Sequence, residues 1–241
     1  MFLDTQVVRY ANGVTNRGQG DIFNSMPQPD PSRLHQWYDD FDRFAIGEWT
    51  VTNPNGGAGT GVLNANSDGG AIDINSDAGG GEDAGLYKNG RGFLMEVGRR
   101  AYFRCVARCT NINLTRIIIG LENPTSLEPE APVDGIFFRM EPGATSFHLA
   151  SVKDSVEVFS DSDLVPLEVT DDTDFELAFF WDGVSRLFFG IDGSAKGFID
   201  PGASLPDDEV LTPLMFVSNG VTAVNRILTV DYMFAAKERA A

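Results

Sequence analysis

The chain has 241 residues, with 18 Lys+Arg against 35 Asp+Glu and a formal net charge of -17. That balance repels a phosphate backbone and excludes nucleic acid as a partner. No apolar run approaches the roughly 18 residues of a membrane span, and Met1–Tyr10, which carries Asp4 and Arg9, lacks the apolar core of a secretory signal. Synthesis into the cytoplasm is therefore expected. The acidity itself fits a well-solvated surface or a negative face that meets a basic partner.

Residues 1–36 are rich in Gly, Asn, Gln and Pro, and Met26-Pro-Gln-Pro-Asp-Pro31 forbids regular hydrogen-bonded structure. This segment reads as an extended N-terminal arm. Apolar residues are spaced along it, and Phe2, Leu3, Tyr10, Ile22 and Phe23 are the candidate anchors for burial against a neighbouring subunit.

From Trp37 to the end, short β-branched and aromatic segments alternate with Gly, Asn, Asp and Pro clusters. Strands are expected over Tyr38–Phe44, Trp49–Thr52, Thr60–Leu63, Ala71–Ile74, Gly85–Lys88, Ala101–Cys109, Arg116–Leu121, Gly135–Met140, Ser146–Ser151, Val156–Phe159, Phe175–Trp181, Ser185–Ile191, Thr212–Ser218 and Thr229–Ala235. No segment sustains a helical period. Asp182-Gly183 and Asp192-Gly193 are expected to close tight hairpins, giving a meander of at least three strands. Within it, Phe175, Leu177 and Phe179 alternate with Glu176, Ala178 and Phe180, as in a strand covered on both sides. The expected fold is all-β: a two-sheet antiparallel sandwich over residues 37–241.

The search for chemistry returns little. Cys105 and Cys109 lie four apart on one expected strand, roughly 13 Å at about 3.3 Å per residue, too far for a disulfide. Reduced, half-buried thiols are expected. The two histidines, His35 and His148, stand apart with no oriented nucleophile beside them. Gly56-Gly-Ala-Gly-Thr-Gly61 lacks the Lys-Ser/Thr ending of a phosphate loop. Ala71-Ile-Asp73-Ile-Asn75 has the middle acid of a laminarinase-type Glu-x-Asp-x-Glu strand but neither flanking acid. The series Asp73, Asn75, Asp77, Gly79 has the alternating oxygens of a calcium loop without its later Gly and acid. No cofactor, metal or catalytic residue is therefore expected. Trp37 and Trp49 are the aromatics that would stack on a sugar if exposed, although core packing is the readier fate of each.

Several segments carry a resemblance: Trp37–Phe44, Asp134–Phe138, Phe175–Gly183, Phe188–Gly193, Leu205–Glu209 and Thr229–Arg239. Together they resemble a family of tailed-phage virion proteins similar in fold to concanavalin A-like lectins and laminin G-like domains. The resemblance implies a non-enzymatic capsid decoration or cement protein. It implies a homotrimer bound to the major capsid protein, located in the virion and assembled in the host cytoplasm. The alternative expectation is a lectin-like carbohydrate-binding module with a glycan as partner.

Overall fold

The computed structural model describes residues 34–54, 59–64, 69–76, 82–90, 92–112, 115–125, 127–160, 167–219 and 225–239. Two antiparallel sheets form from them.

Sheet A runs in the order β14-β13-β12-β6-β16-β4-β3. Its strands are β3 (Thr60–Leu63), β4 (Ile72–Asn75), β6 (Ala101–Cys109), β12 (Phe175–Trp181), β13 (Leu187–Ile191), β14 (Ser194–Ile199) and β16 (Ile227–Glu238). The first strand, β1 (Leu34–Asp39), also pairs with β16, running Leu34 opposite Glu238 to Asp39 opposite Met233. Sheet B runs β10-β9-β8-β7-β15-β5-β2, with β11 on the flank of β9. It comprises β2 (Trp49–Thr52), β5 (Asp83–Lys88), β7 (Arg116–Glu122), β8 (Gly135–Met140), β9 (Ser146–Lys153), β10 (Val156–Phe159), β11 (Leu167–Glu168) and β15 (Thr212–Ser218).

The period-2 alternation of each strand sends one set of side chains between the sheets. From sheet A come Phe103, Cys105, Leu177, Phe179, Phe189 and Val230, and from sheet B Ile117, Ile119, Phe138, Leu149 and Met215. All are fully buried, and Phe179 bridges the layers, stacking on Phe103 at 5.2 Å and tilting against Phe138 at 6.2 Å.

Three strand expectations change. The first strand is Leu34–Asp39, not Tyr38–Phe44, so residues 34–36 belong to the sheet and not to the arm. Phe41 has φ 54 there, a left-handed backbone that ends the strand. The second change is at Asp182-Gly183, which does not close a two-residue turn. The Asp182 carboxylate instead accepts the N–H groups of Val184, Ser185 and Arg186, holding a five-residue loop between β12 and β13. Asp192 (φ 50) and Gly193 (φ 72) do form the expected tight hairpin, with both central residues left-handed. The third is partial: β12 is covered on both sides as expected except at Phe180, which is half-exposed on the outer side, whereas β15 is buried throughout. Cys105 and Cys109 are also fully buried, not half-buried, because both point inward from β6. Burial pushes the Cys109 thiol up to about 12 and the Cys105 thiol higher still.

Candidate functional site: two outer faces, one closed and one open

Each sheet has an outer face, and the two differ. On sheet B, Tyr87, Ile118, Phe137, Ala150, Val152, Leu214 and Phe216 form a second buried cluster outside the core. Leu127 packs on it, and the Thr52 hydroxyl donates to the Leu127 carbonyl, pinning the segment over this face. Gly120 sits at the centre, where a Cβ would meet the Ile136 carbonyl and the Phe137 Cα at 2.5 Å. Beside it on the same strand face, Glu122 is fully buried and accepts a hydrogen bond from the Tyr87 hydroxyl at 2.8 Å. Its other oxygen has no partner among the described residues. Desolvation pushes the Glu122 carboxyl up to about 8, so near neutral pH it is mostly protonated.

At the other end of this face the Arg116 and Arg139 guanidiniums pair with Glu130, Glu141 and Glu157. The Arg139 Nε donates to His148 Nε2 at 3.1 Å. Burial, together with that guanidinium, lowers His148 to about 4 and keeps the ring neutral. The arrangement is a self-satisfied ion network over a filled face.

Sheet A is open. One aromatic ring after another stands on its outer face across adjacent strands, because the register places Phe198 opposite Phe188, Phe188 opposite Phe180, and Phe180 opposite Tyr102. From Tyr102 the row steps diagonally to Phe234, which faces Tyr38 across β1. Ring centroids lie 5.8 Å apart for Phe188 and Phe198, 6.4 Å for Phe180 and Phe188, 5.9 Å for Tyr102 and Phe234, and 6.1 Å for Tyr38 and Tyr232. The two ends are the most exposed, Tyr38 at 57% and Phe198 at 45%, while Phe180, Phe188, Tyr232 and Phe234 are half-buried. A row of aromatic rings on a partly exposed sheet face is a candidate binding surface.

Charged groups interleave with the rings. Arg104 lies 5.6 Å over the Tyr232 ring and pairs with Glu176. Arg186 lies 4.3 Å over the Phe198 ring and 3.8 Å from Asp200. Near Tyr38, desolvation and the neighbouring Asp40, Asp231 and Asp42 carboxylates push the phenol up. Desolvation together with Asp174 and Asp40 raises Asp231 itself.

None of these rings stood out in the sequence as site residues. The available signal was the doubled phenylalanines, Phe179-Phe180 and Phe188-Phe189, since adjacent strand residues point to opposite faces and one ring of each pair must leave the core. The residues singled out beforehand fall elsewhere. Phe2, Leu3, Tyr10, Ile22 and Phe23 lie outside the described residues. Trp37 and Trp49 are each 5% exposed and pack edge to face, with the Lys88 ammonium 4.8 Å from the Trp49 ring and bonded to Glu48. Neither is an exposed sugar platform. His35 packs on Phe93 at 4.9 Å. Asp73 faces outward on β4, where its carboxylate accepts from the Thr229 hydroxyl at 2.6 Å and the Asn64 amide at 3.1 Å; Asp77 and Gly79 of the calcium-like series lie outside the described residues.

No family model matches the sequence, and no curated protein matches it. Solved structures do. The GH16 protein of a Bacteroides ovatus mixed-linkage glucan PUL, in complex with a G4G4G3G product, superposes with TM-score 0.62 at 12% identity, over 82% of this chain and 98% of that one. Peanut lectin gives TM-score 0.58 at 11% identity, over 86% and 99%. A protein of unknown function from Shewanella oneidensis MR-1 gives 0.58 at 12%, over 95% and 98%. The fold is a concanavalin A-like β-sandwich. Lectins and glucanases share it, so the fold leaves binding and catalysis both open, and at these identities the likeness extends to the fold alone.

Proposed function

We propose that the chain is a non-catalytic, lectin-like carbohydrate-binding module. The open aromatic row on sheet A carries this reading, because ring faces flanked by hydrogen-bonding side chains complement the apolar faces and hydroxyls of a sugar. Two of the similar structures, a lectin and a GH16 protein holding a product, are in keeping with it. Catalysis has less support. A glycosidase places two carboxyls roughly 5–10 Å apart across the scissile bond. On the Glu122 strand the same-face positions before it are Gly120 and Ile118, and on the Asp73 strand the next one is Asn75. The full chain is expected to be retarded in native gels containing at least one polysaccharide while releasing no reducing ends from it. No retardation across a broad panel rejects the binding reading, and sugar release rejects the non-catalytic one.

A second reading, a capsid decoration protein acting as a homotrimer on the major capsid protein in the virion, rests on the resemblance of the segments from Trp37 to Arg239. One observation bears on it: the first and last of those segments are hydrogen-bonded neighbours, β1 on β16, so Leu34, which follows the proposed arm, lies within the sheet. The arm anchors Phe2, Leu3, Tyr10, Ile22 and Phe23 then supply adhesion through effective concentration. Removing residues 1–33 is expected to leave a folded sandwich that no longer self-associates or joins a shell. Light scattering of the two forms checks this, and a monomer in both forms removes the reading.

A further inference from the structure

The ligand class follows from the dimensions and charge of the same face. Resting on the carbohydrate-binding reading, we infer that sheet A binds an extended, uncharged polysaccharide lying across its strands from Phe198 to Tyr38. The row of rings crosses six neighbouring strands, β14, β13, β12, β6, β16 and β1, in a shared register. Five strand gaps of about 4.8 Å make it roughly 24 Å long, several sugar rings instead of one terminal residue. Exposure is greatest at the two ends, 45% at Phe198 and 57% at Tyr38, so the row is not closed off on either side as a pocket for a chain end would be.

Charge decides against acidic chains. The two guanidiniums on the row, Arg104 and Arg186, are matched to Glu176 and Asp200, and Arg108 beyond them lies 4.0 Å from Asp174. Around Tyr38 the neighbouring groups are the Asp40, Asp42 and Asp231 carboxylates, and the whole chain carries -17. A uronate or sulfate polymer meets repulsion there, whereas neutral hydroxyls can accept from Arg104 and Arg186 and donate to the carboxylates. Charge argues equally against a second copy as the occupant, since two bodies of -17 repel.

The test is affinity electrophoresis of the full chain against soluble neutral polysaccharides (mixed-linkage β-glucan, galactomannan, xylan) and polyanions (polygalacturonate, dextran sulfate), with F198A and Y38A as variants. Both side chains are exposed, so the variants should keep the parent melting temperature. Retardation by a neutral polymer is expected, weakened about three- to ten-fold by each variant and by truncation of the polymer to a disaccharide. Equal or stronger retardation by the polyanions overturns the ligand class while leaving sugar binding in place. Neutral binding untouched by either variant overturns the site, and loss with only one of them overturns the extended mode. A fall in molecular mass on light scattering in F198A or Y38A makes a second copy the occupant. Failure of every polymer to retard the parent chain rejects the carbohydrate reading itself.

Discussion

Phe179→Ala is expected to cost about 3–5 kcal/mol, the upper range for a large-to-small core change and a sizeable part of the roughly 5–15 kcal/mol that holds a domain folded. The ring is fully buried, stacks on Phe103 within sheet A and touches Phe138 of sheet B, so its removal opens a cavity where the two layers meet. Strands hydrogen-bonded on both flanks cannot collapse into that space; β12 is held by β6 on one side and β13 on the other. Urea denaturation should show a much lower midpoint with an unchanged slope. Its neighbour supplies the control. Phe180 points the opposite way, onto the half-exposed outer row, and Phe180→Ala should cost about 1 kcal/mol or less. Equal losses at the two positions would mean that the inward and outward assignments of this strand are wrong.

Glu122→Gln is expected to stabilise the protein at alkaline pH and to change little in acid. The wild-type carboxyl is raised from its ordinary 4.5 to about 8 by burial. Between those limits the folded chain retains a proton that the unfolded chain has released. Stability therefore falls as pH rises through that window, at up to about 1.4 kcal/mol per pH unit, and the contribution is complete only below the lower limit. Glutamine keeps the shape and an acceptor for the Tyr87 hydroxyl without an ionisable proton. Melting temperatures of the two proteins should converge near pH 4.5, separate progressively as pH rises towards 8, and keep a constant gap above that, the variant being higher. His148 works in the other direction. Held neutral at about 4 against an ordinary 6.5, it withdraws stability as pH falls through that interval, in both proteins alike. Parallel profiles for wild type and E122Q would show that Glu122 is solvated and ionised in the folded state.

Much of this architecture was legible along the chain. Alternation within Ala101–Cys109, Gly135–Met140 and Phe175–Trp181 located those strands to the residue. Asp192-Gly193 announced a hairpin, because two consecutive left-handed residues are cheapest for that pair. The strand that this hairpin requires, β14, was expected without bounds, since Ser194-Ala-Lys-Gly-Phe-Ile199 is a largely exposed edge strand with little apolar alternation. The boundary at Leu34 was missed for a related reason: Leu34-His-Gln-Trp37 looks strand-like only beside its partner β16, some two hundred residues away.

By itself, then, the sequence determined an acidic all-β sandwich without the acid pair of a laminarinase strand, because side-chain period, turn chemistry and motif spacing are local properties. Which outer face is closed and which is open was decided only by tertiary structure. Alternation gives every strand two faces but does not say what lies over either one; that depends on pairings between distant segments and on where Leu127 comes to rest. The aromatic row exists for the same reason. Phe198, Phe188, Phe180, Tyr102, Phe234 and Tyr38 are scattered over most of the chain, and only the register of six strands sets them in one line.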